Sequence, residues 1–238
     1  MAYELNFDQL LTRKRELELL VAQSTELERR VQELRAWQAK RLDQTYAGLR
    51  REARHVPALD FFLSDLYGPG DSVRRDEDLR RALPALKRAL PATLLEILHR
   101  ALELQVLTAE LDREMVSRLK PGAITDATYA EAYRHVGRTD DRKHQIELIV
   151  SIAEDLSRVV RKNWLAVALR AAHLPAQAAG FGVLQSFLER GFRAFRQMGD
   201  ARELLMTIRQ RETALMESLL RGDQSAIADI AQRTTARV

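Results

Sequence analysis

Apolar residues recur near the start of the chain at alternating spacings of three and four: Leu17, Leu20, Leu27, Val31 and Leu34, with Ser24 filling the place between Leu20 and Leu27. A stripe this narrow is the seam of a coiled coil, because a 3.5-residue period keeps one edge of a helix against a partner. Beyond Leu34 the seam continues through Gln38, Leu42, Tyr46 and Leu49 with successive spacings of four, a stutter that locally relaxes the supercoil. Residues 8–55 contain no proline and no glycine before Gly48. The pattern therefore predicts one long helix, roughly 70 Å at ~1.5 Å per residue. A helix of that length must lie along a bundle, pair with another subunit, or do both in succession; the narrow seam before Leu42 favours a protruding arm within residues 1–55 that supports self-association.

From residue 56 the stripes broaden and turn signals multiply. The stretch "HVPALDFFLSDLYG" reads as a helix with Pro57 in its first turn, Gly68 at its end and Leu59, Phe62, Leu63 and Leu66 on its core side. Asp71 or Ser72 is expected to cap the next helix, and Pro84 and Pro91 to divide the chain beyond that cap. Residues 91–119 carry apolar side chains around so much of the circumference that a central helix is predicted. Further helices are expected from Asp126 to Gly137, from Asp140 or Asp141 to about Lys162, and over "NWLAVALRAAHL". Others should run from Pro175 to Gly199, from Asp200 to about Leu220, and over "GDQSAIADIAQRT". No segment alternates with the period of a strand. The fold class is all-α: a long, partly coiled-coil N-terminal helix, a multi-helix bundle over 56–222, and a short C-terminal helix and tail over 223–238.

Composition narrows the chemistry more than the fold. The chain has no cysteine, which excludes disulfides, thiolate nucleophiles and cysteine-ligated metal sites. There is no signal-peptide layout and no apolar run near the ~18 residues that span a bilayer, so a cytoplasmic, non-membrane protein is expected. The net charge of +4 says little about partners. No G-x-S-x-G elbow, phosphate-binding glycine loop or H-E-x-x-H motif occurs.

Two patterns carry candidate chemistry. Glu52-x-x-His55 and Glu96-x-x-His99 match the carboxylate–imidazole spacing of di-iron bundles, where side chains three apart on a helix reach one ion. Asp141-x-x-His144 is a looser version, and His173 completes the set of possible metal or haem ligands. Against this, His99 shares a face with the charged Glu96, Arg100 and Glu103, and no cofactor is predicted. The second pattern is electrostatic. Residues 156–198 hold seven basic side chains and one acidic, among them Arg158, Arg161, Lys162 and Arg170. A positive field of this kind suits a protein partner or a small anionic ligand. A phosphate or nucleic-acid role ranks third, because the neighbouring phenylalanines point inward instead of interleaving with the charges. The mixed run "RRDEDLRR" at 74–81 reads as solvated surface, and Gln105 and Thr108, on the apolar side of the central helix, as a satisfied internal network, with a pocket lining as the alternative.

Six of the seven phenylalanines fall in two short segments, around Phe61 and between Phe181 and Phe195. The expectation is that these segments pack together to close the core. Phe61, Asp65 and Tyr67 lie off the first segment's core stripe and, with Phe181, form a candidate ligand or partner surface. The stretches "FFLSDLYGPGD", "RKHQIEL" at 142–148 and "LQSFLERGFRAFRQM" at 184–198 resemble a family of uncharacterised bacterial all-helical proteins. Its members carry an FFL-x-DLYGP-x-D signature and a later FLE-x-GF-x-AF-x-x-M signature. The resemblance covers about residues 50–220 and implies a helical fold, with no activity, cofactor or catalytic residue attached. The functional expectation is a non-catalytic protein that acts by protein–protein or small-ligand binding in a regulatory role. A metal- or haem-dependent bundle is the alternative.

Overall fold

In a computed structural model of the chain, residues 5–61, 72–223 and 225–235 are described, and every regular element among them is helical. The first departure from the periodic pattern comes at Ser24. Its backbone is extended (φ −137°, ψ 113°) and its hydroxyl accepts a hydrogen bond from the Leu27 N–H at 3.2 Å. A serine that satisfies a free N–H in this way competes with helix continuation, so the long helix is two: α1 (Phe7–Ala22) and α2 (Thr25–Thr45). Asn6 caps α1 with a reciprocal bond to Gln9. A 3₁₀ turn (Ala47–Arg51) and α3 (Val56–Phe61) follow.

The remaining helices are α4 (Ser72–Ala89), α5 (Ala92–Arg118), α6 (Asp126–Val136), α7 (Thr139–Val159), α8 (Asn163–Ala178), α9 (Gly182–Met198), α10 (Arg202–Arg221) and α11 (Ala226–Thr235). Contrary to the sequence expectation, α4 runs through Pro84 and α8 through Pro175. Both prolines are exposed, and so are Arg80 and Ala171, the residues whose carbonyls each proline leaves unpaired. Water can then take the lost bond. Helix α7 starts from a left-handed Arg138 (φ 52°), with Asp140 and Asp141 in its first turn instead of at its cap.

Helix α5 is central, as its broad apolar face predicts: α1 and α2 lie against it on one side, α6 and α7 on the other. The apolar stripe of the N-terminal helices closes on this same chain. Leu10, Leu11 and Leu17 share a core with Leu79, Leu83, Leu102 and Val106. Leu34 joins Met115, Tyr129 and Met216, and Leu42 and Tyr46 meet Leu59. The expected protruding arm is thus two helices laid along the bundle, while Leu20, near the break, is exposed.

Charged groups seal these contacts. Lys14, buried, donates to Asp76 and to Gln105 Oε1 at 2.5 Å, and burial pulls its ammonium down from the ordinary lysine value against the opposing charge of Asp76. The run at 74–81 is therefore only partly surface: Asp78 is buried too, bound to Arg81 and to the Leu184 N–H at the start of α9. Glu103, expected on a polar face, is buried and paired with His144 at 2.7 Å. Gln105 and Thr108 are satisfied as expected, Thr108 Oγ1 accepting from Gln145 at 2.7 Å. Among the described residues no helix is long and apolar enough to cross a membrane.

Candidate functional site: an interhelical cavity

Helices α2, α5, α6, α7 and α10 line a partly open cavity of about 140 Å³, with α3 and α9 completing one wall. Its lining is mostly apolar, with Leu42, Leu111, Met115, Ile146, Leu205 and Ile208 prominent. Helical spacing also brings polar groups to it. Gln38, Arg41 and Tyr46 lie along one face of α2 and its end, Thr108 and Asp112 one turn apart on α5, and Tyr129 and Tyr133 one turn apart on α6. Arg142 and Gln145 come from α7, and Glu212 from α10.

Most of these groups hold one another. Asp112 accepts from Arg35 Nε at 3.1 Å and from Gln38 Nε2 at 3.2 Å. Burial nonetheless pushes its carboxyl above the ordinary aspartate value, against the pull of Arg35 and Gln38. Glu212 Oε1 accepts from Arg41 Nη1 and from the Tyr46 hydroxyl, both at 2.7 Å. Burial works to lower the Arg41 guanidinium, but the Glu212 charge and hydrogen bond outweigh it and the net shift is upward. Burial raises the phenols of Tyr46, Tyr129 and Tyr133 above the ordinary tyrosine value, so all three stay neutral. Trp37 stacks on Tyr129 at 4.2 Å and fixes that ring from outside.

Two groups are left over. Arg142 is 5% exposed and donates to the Gly137 carbonyl at 2.8 Å and to Met115 Sδ at 3.5 Å, and its guanidinium lies 3.5 Å over the Tyr133 ring. No carboxylate among the described residues forms an ion pair with it. Gln38 turns its Nε2 to Asp112, which leaves its Oε1 a buried acceptor without a partner. Among the described residues the lining contains no histidine, serine, lysine or cysteine. With neutral phenols and an Asp112 tied to Arg35, the cavity has groups suited to holding a molecule.

The residues expected to form a site are placed elsewhere. Phe61 is interior, 5.2 Å from Phe187 and 6.3 Å from Phe195 between ring centroids, which is the expected pairing of the aromatic segments. Phe181 instead packs beneath Arg81 beside the α1 core. Asp65 and Tyr67 lie outside the described residues. Arg158 pairs with Asp155, while Arg161, Lys162 and Arg170 are exposed around the start and middle of α8.

The metal candidates do not converge. His55 is buried with Nδ1 unbonded and 3.9 Å from the exposed Glu52. His99 bonds the Leu5 carbonyl at 2.6 Å and packs edge-on against Phe7, away from exposed Glu96. His144 and His173 each meet one carboxylate, Glu103 and Glu189. Among the described residues no three ligand-type side chains come together.

The cavity set was nearly silent in the sequence. Its signals were Gln38, a polar residue at an apolar seam position, and Thr108, a polar residue on the apolar side of α5, where buried polar groups need partners. Comparison with curated proteins and with solved structures gives no match. A family model described as a domain of unknown function (DUF8198) matches residues 19–226. The match takes in the end of α1, all of α2 and every cavity-lining residue, reaching further toward the N-terminus than the resemblance around residues 50–220. This chain belongs to the DUF8198 family.

Proposed function

We propose that the protein is a non-catalytic binding protein whose interhelical cavity takes a small organic anion. The observation that carries this reading is Arg142, a buried guanidinium on the cavity wall with an aromatic face and neutral acceptors for partners and, among the described residues, no carboxylate in direct ion-pair contact. Asp112 on the same wall feels the Arg142 charge but makes no direct ion pair with it; a buried charge compensated only at a distance is costly, and an anion placed against it offsets that cost. Gln38 Oε1 adds a second requirement, a hydroxyl or N–H donor on the same molecule. Size sets a third. A cavity of about 150 Å³ in another protein holds benzene, so about 140 Å³ suits one small ring with a short substituent. Occupancy would tie α2, α5, α7 and α10 together and favour the conformation in which they meet, which is how a ligand regulates.

The full-length chain, titrated with 4-hydroxybenzoate, benzoate and benzamide by calorimetry and thermal melting, tests this reading. The expected order is 4-hydroxybenzoate, then benzoate, with benzamide inert and one site per chain. Arg142→Met should abolish the response and still fold, because replacing a buried charge by an apolar residue of similar volume is often neutral. Equal binding of benzamide and benzoate, or unchanged binding by R142M, would overturn the proposal.

A further inference from the structure

Helix α8 is apolar almost all round, yet it is packed on one side only. Leu165, Leu169, His173 and Ala176 form its half-buried stripe, and α9 is its principal neighbour. There the Glu189 carboxylate pairs with His173 at 2.7 Å, and Gln185 donates to the Leu169 carbonyl at 2.8 Å. On the opposite side Trp164, Val167, Ala171, Leu174 and Ala178 recur at spacings of three and four. Trp164 is 43% exposed, Val167 60% and Leu174 73%. A helix apolar on both faces belongs in an interior, and a three-four stripe is what a second helix packs into.

Charge and side-chain size say which helix. No acidic residue occurs between Asp155 and Glu189, and the only titratable groups within α8 are Arg170 and His173. Arg170 flanks the exposed stripe, and Arg161 and Lys162 stand at its N-terminal end, all three exposed. No carboxylate among the described residues forms an ion pair with Lys162 or Arg170. A second copy of this chain is a poor occupant: in an antiparallel pair centred on Ala171 the two Arg170 side chains would face each other, and in a parallel pair neither would meet a carboxylate. A lipid surface is also poorly matched. Ala171 and Ala178 add little apolar depth but let another backbone approach closely, and the polar edge within the helix holds one arginine where interfacial helices carry several basic residues.

We infer that the exposed stripe of α8 docks an amphipathic helix of a different protein, with small and branched apolar residues on its contact face and glutamate or aspartate on its flanks. The probe is a labelled 18-residue peptide with leucine and alanine at alternating three-four spacing and glutamates flanking them, titrated against the full chain by fluorescence anisotropy. A lysine-flanked version serves as control. The glutamate peptide is expected to bind, with affinity falling as salt rises. Leu174→Glu, at a site exposed enough to leave the fold intact, should weaken it at least tenfold. The K162E/R170E double variant should lose the glutamate peptide and gain the lysine one. The inference is overturned if both peptides bind alike, if the glutamate peptide does not bind, or if L174E leaves binding unchanged. It is equally overturned if the chain sediments as a dimer that L174E dissociates, which makes the occupant a second copy, or if the full chain binds phosphatidylserine vesicles through Leu174 and ignores the peptides.

Discussion

Gly191 faces Phe61 across the contact between α3 and α9, and a methyl group there would stand 2.9 Å from the ring's Cζ, with two more ring atoms within 3.4 Å. Two effects oppose each other. Replacing a mid-helix glycine by alanine favours the helix by about 1 kcal/mol. Forcing extra volume into a packed core costs about 1–3 kcal/mol. The Phe61 ring is held by Phe187 and Phe195 and cannot step aside, so overpacking wins. Gly191→Ala is expected to lower stability by about 1 kcal/mol in urea unfolding, and to become neutral or stabilising in a Phe61→Leu background. Equal effects in both backgrounds would show that the ring is not the obstacle. Asp112 supports a prediction of a different kind. Burial raises its carboxyl above the ordinary 3.8, so between that value and the raised one the native state holds a proton that the unfolded chain releases. Its contribution to stability therefore falls as pH rises through that window. The stability of the wild type minus that of Asp112→Asn should decline with rising pH from just below 3.8, on top of a constant offset for the altered hydrogen bonds. A flat difference would mean the carboxylate is solvated.

At the level of elements, the break between α1 and α2 rests on few atoms. Ser24 supplies the cap, Glu26 and Glu28 favour the N-terminal turn, and packing of both helices on α5 holds the bend. Ser24→Ala should cost about 1 kcal/mol in denaturant midpoint, and Ser24→Asp should restore it because a carboxylate caps equally well. A stability gain in the alanine variant would instead indicate one fused helix, the straight rod that the heptad pattern describes. Local signals did carry much of this level. The breadth of the apolar face on α5 announced a central helix, and Gly137 and Gly199, both with positive φ, end α6 and α9 where the pattern stops. The pairing of the two aromatic segments was also legible, because two clusters of large rings in one small domain must meet, but Phe61, expected off the core stripe, is the ring that makes it. The misleading signals were those whose meaning depends on partners far along the chain. Ser24 sits at a seam position by count, and only the burial of Leu17 and Val31 on either side of a bend shows it to be a cap. Pro84 and Pro175 signal a stop unless their exposed side is known. The cavity is the extreme case: Gln38, Asp112, Arg142 and Glu212 lie on four helices, and no spacing in the sequence relates them.

Across the whole molecule, α5 is the axis to which both halves of the chain are tied. On one side Arg13 reaches Glu110 at 2.9 Å, Lys14 reaches Gln105, and Arg35 reaches Asp112. On the other, Arg138 pairs with Glu114 at 2.7 Å and His144 with Glu103. The N-terminal helices are thus part of the core, and the size of their share can be estimated. Leu10, Leu11, Leu17, Val31, Leu34 and Leu42 are all buried. At ~1.5–3 kcal/mol for each buried side chain of this size, the six contribute roughly 9–18 kcal/mol. That matches or exceeds the ~5–15 kcal/mol net stability of a whole domain. A chain starting at residue 56 would lose this and bare Leu102, Val106, Met115 and Tyr129, which the two helices cover. It would also lose Gln38 and Arg41 from the cavity wall. The truncated chain is therefore expected to aggregate, or to keep helical far-ultraviolet dichroism while binding a hydrophobic dye and melting without a cooperative transition. A dissociable arm makes the opposite prediction: a soluble, cooperatively melting bundle from residue 56 with a melting temperature close to that of the full chain. Scanning calorimetry and light scattering on the two chains separate these outcomes, because an arm leaves the melting enthalpy per residue of the remainder unchanged, whereas stripping half the wall from a shared core removes the transition itself.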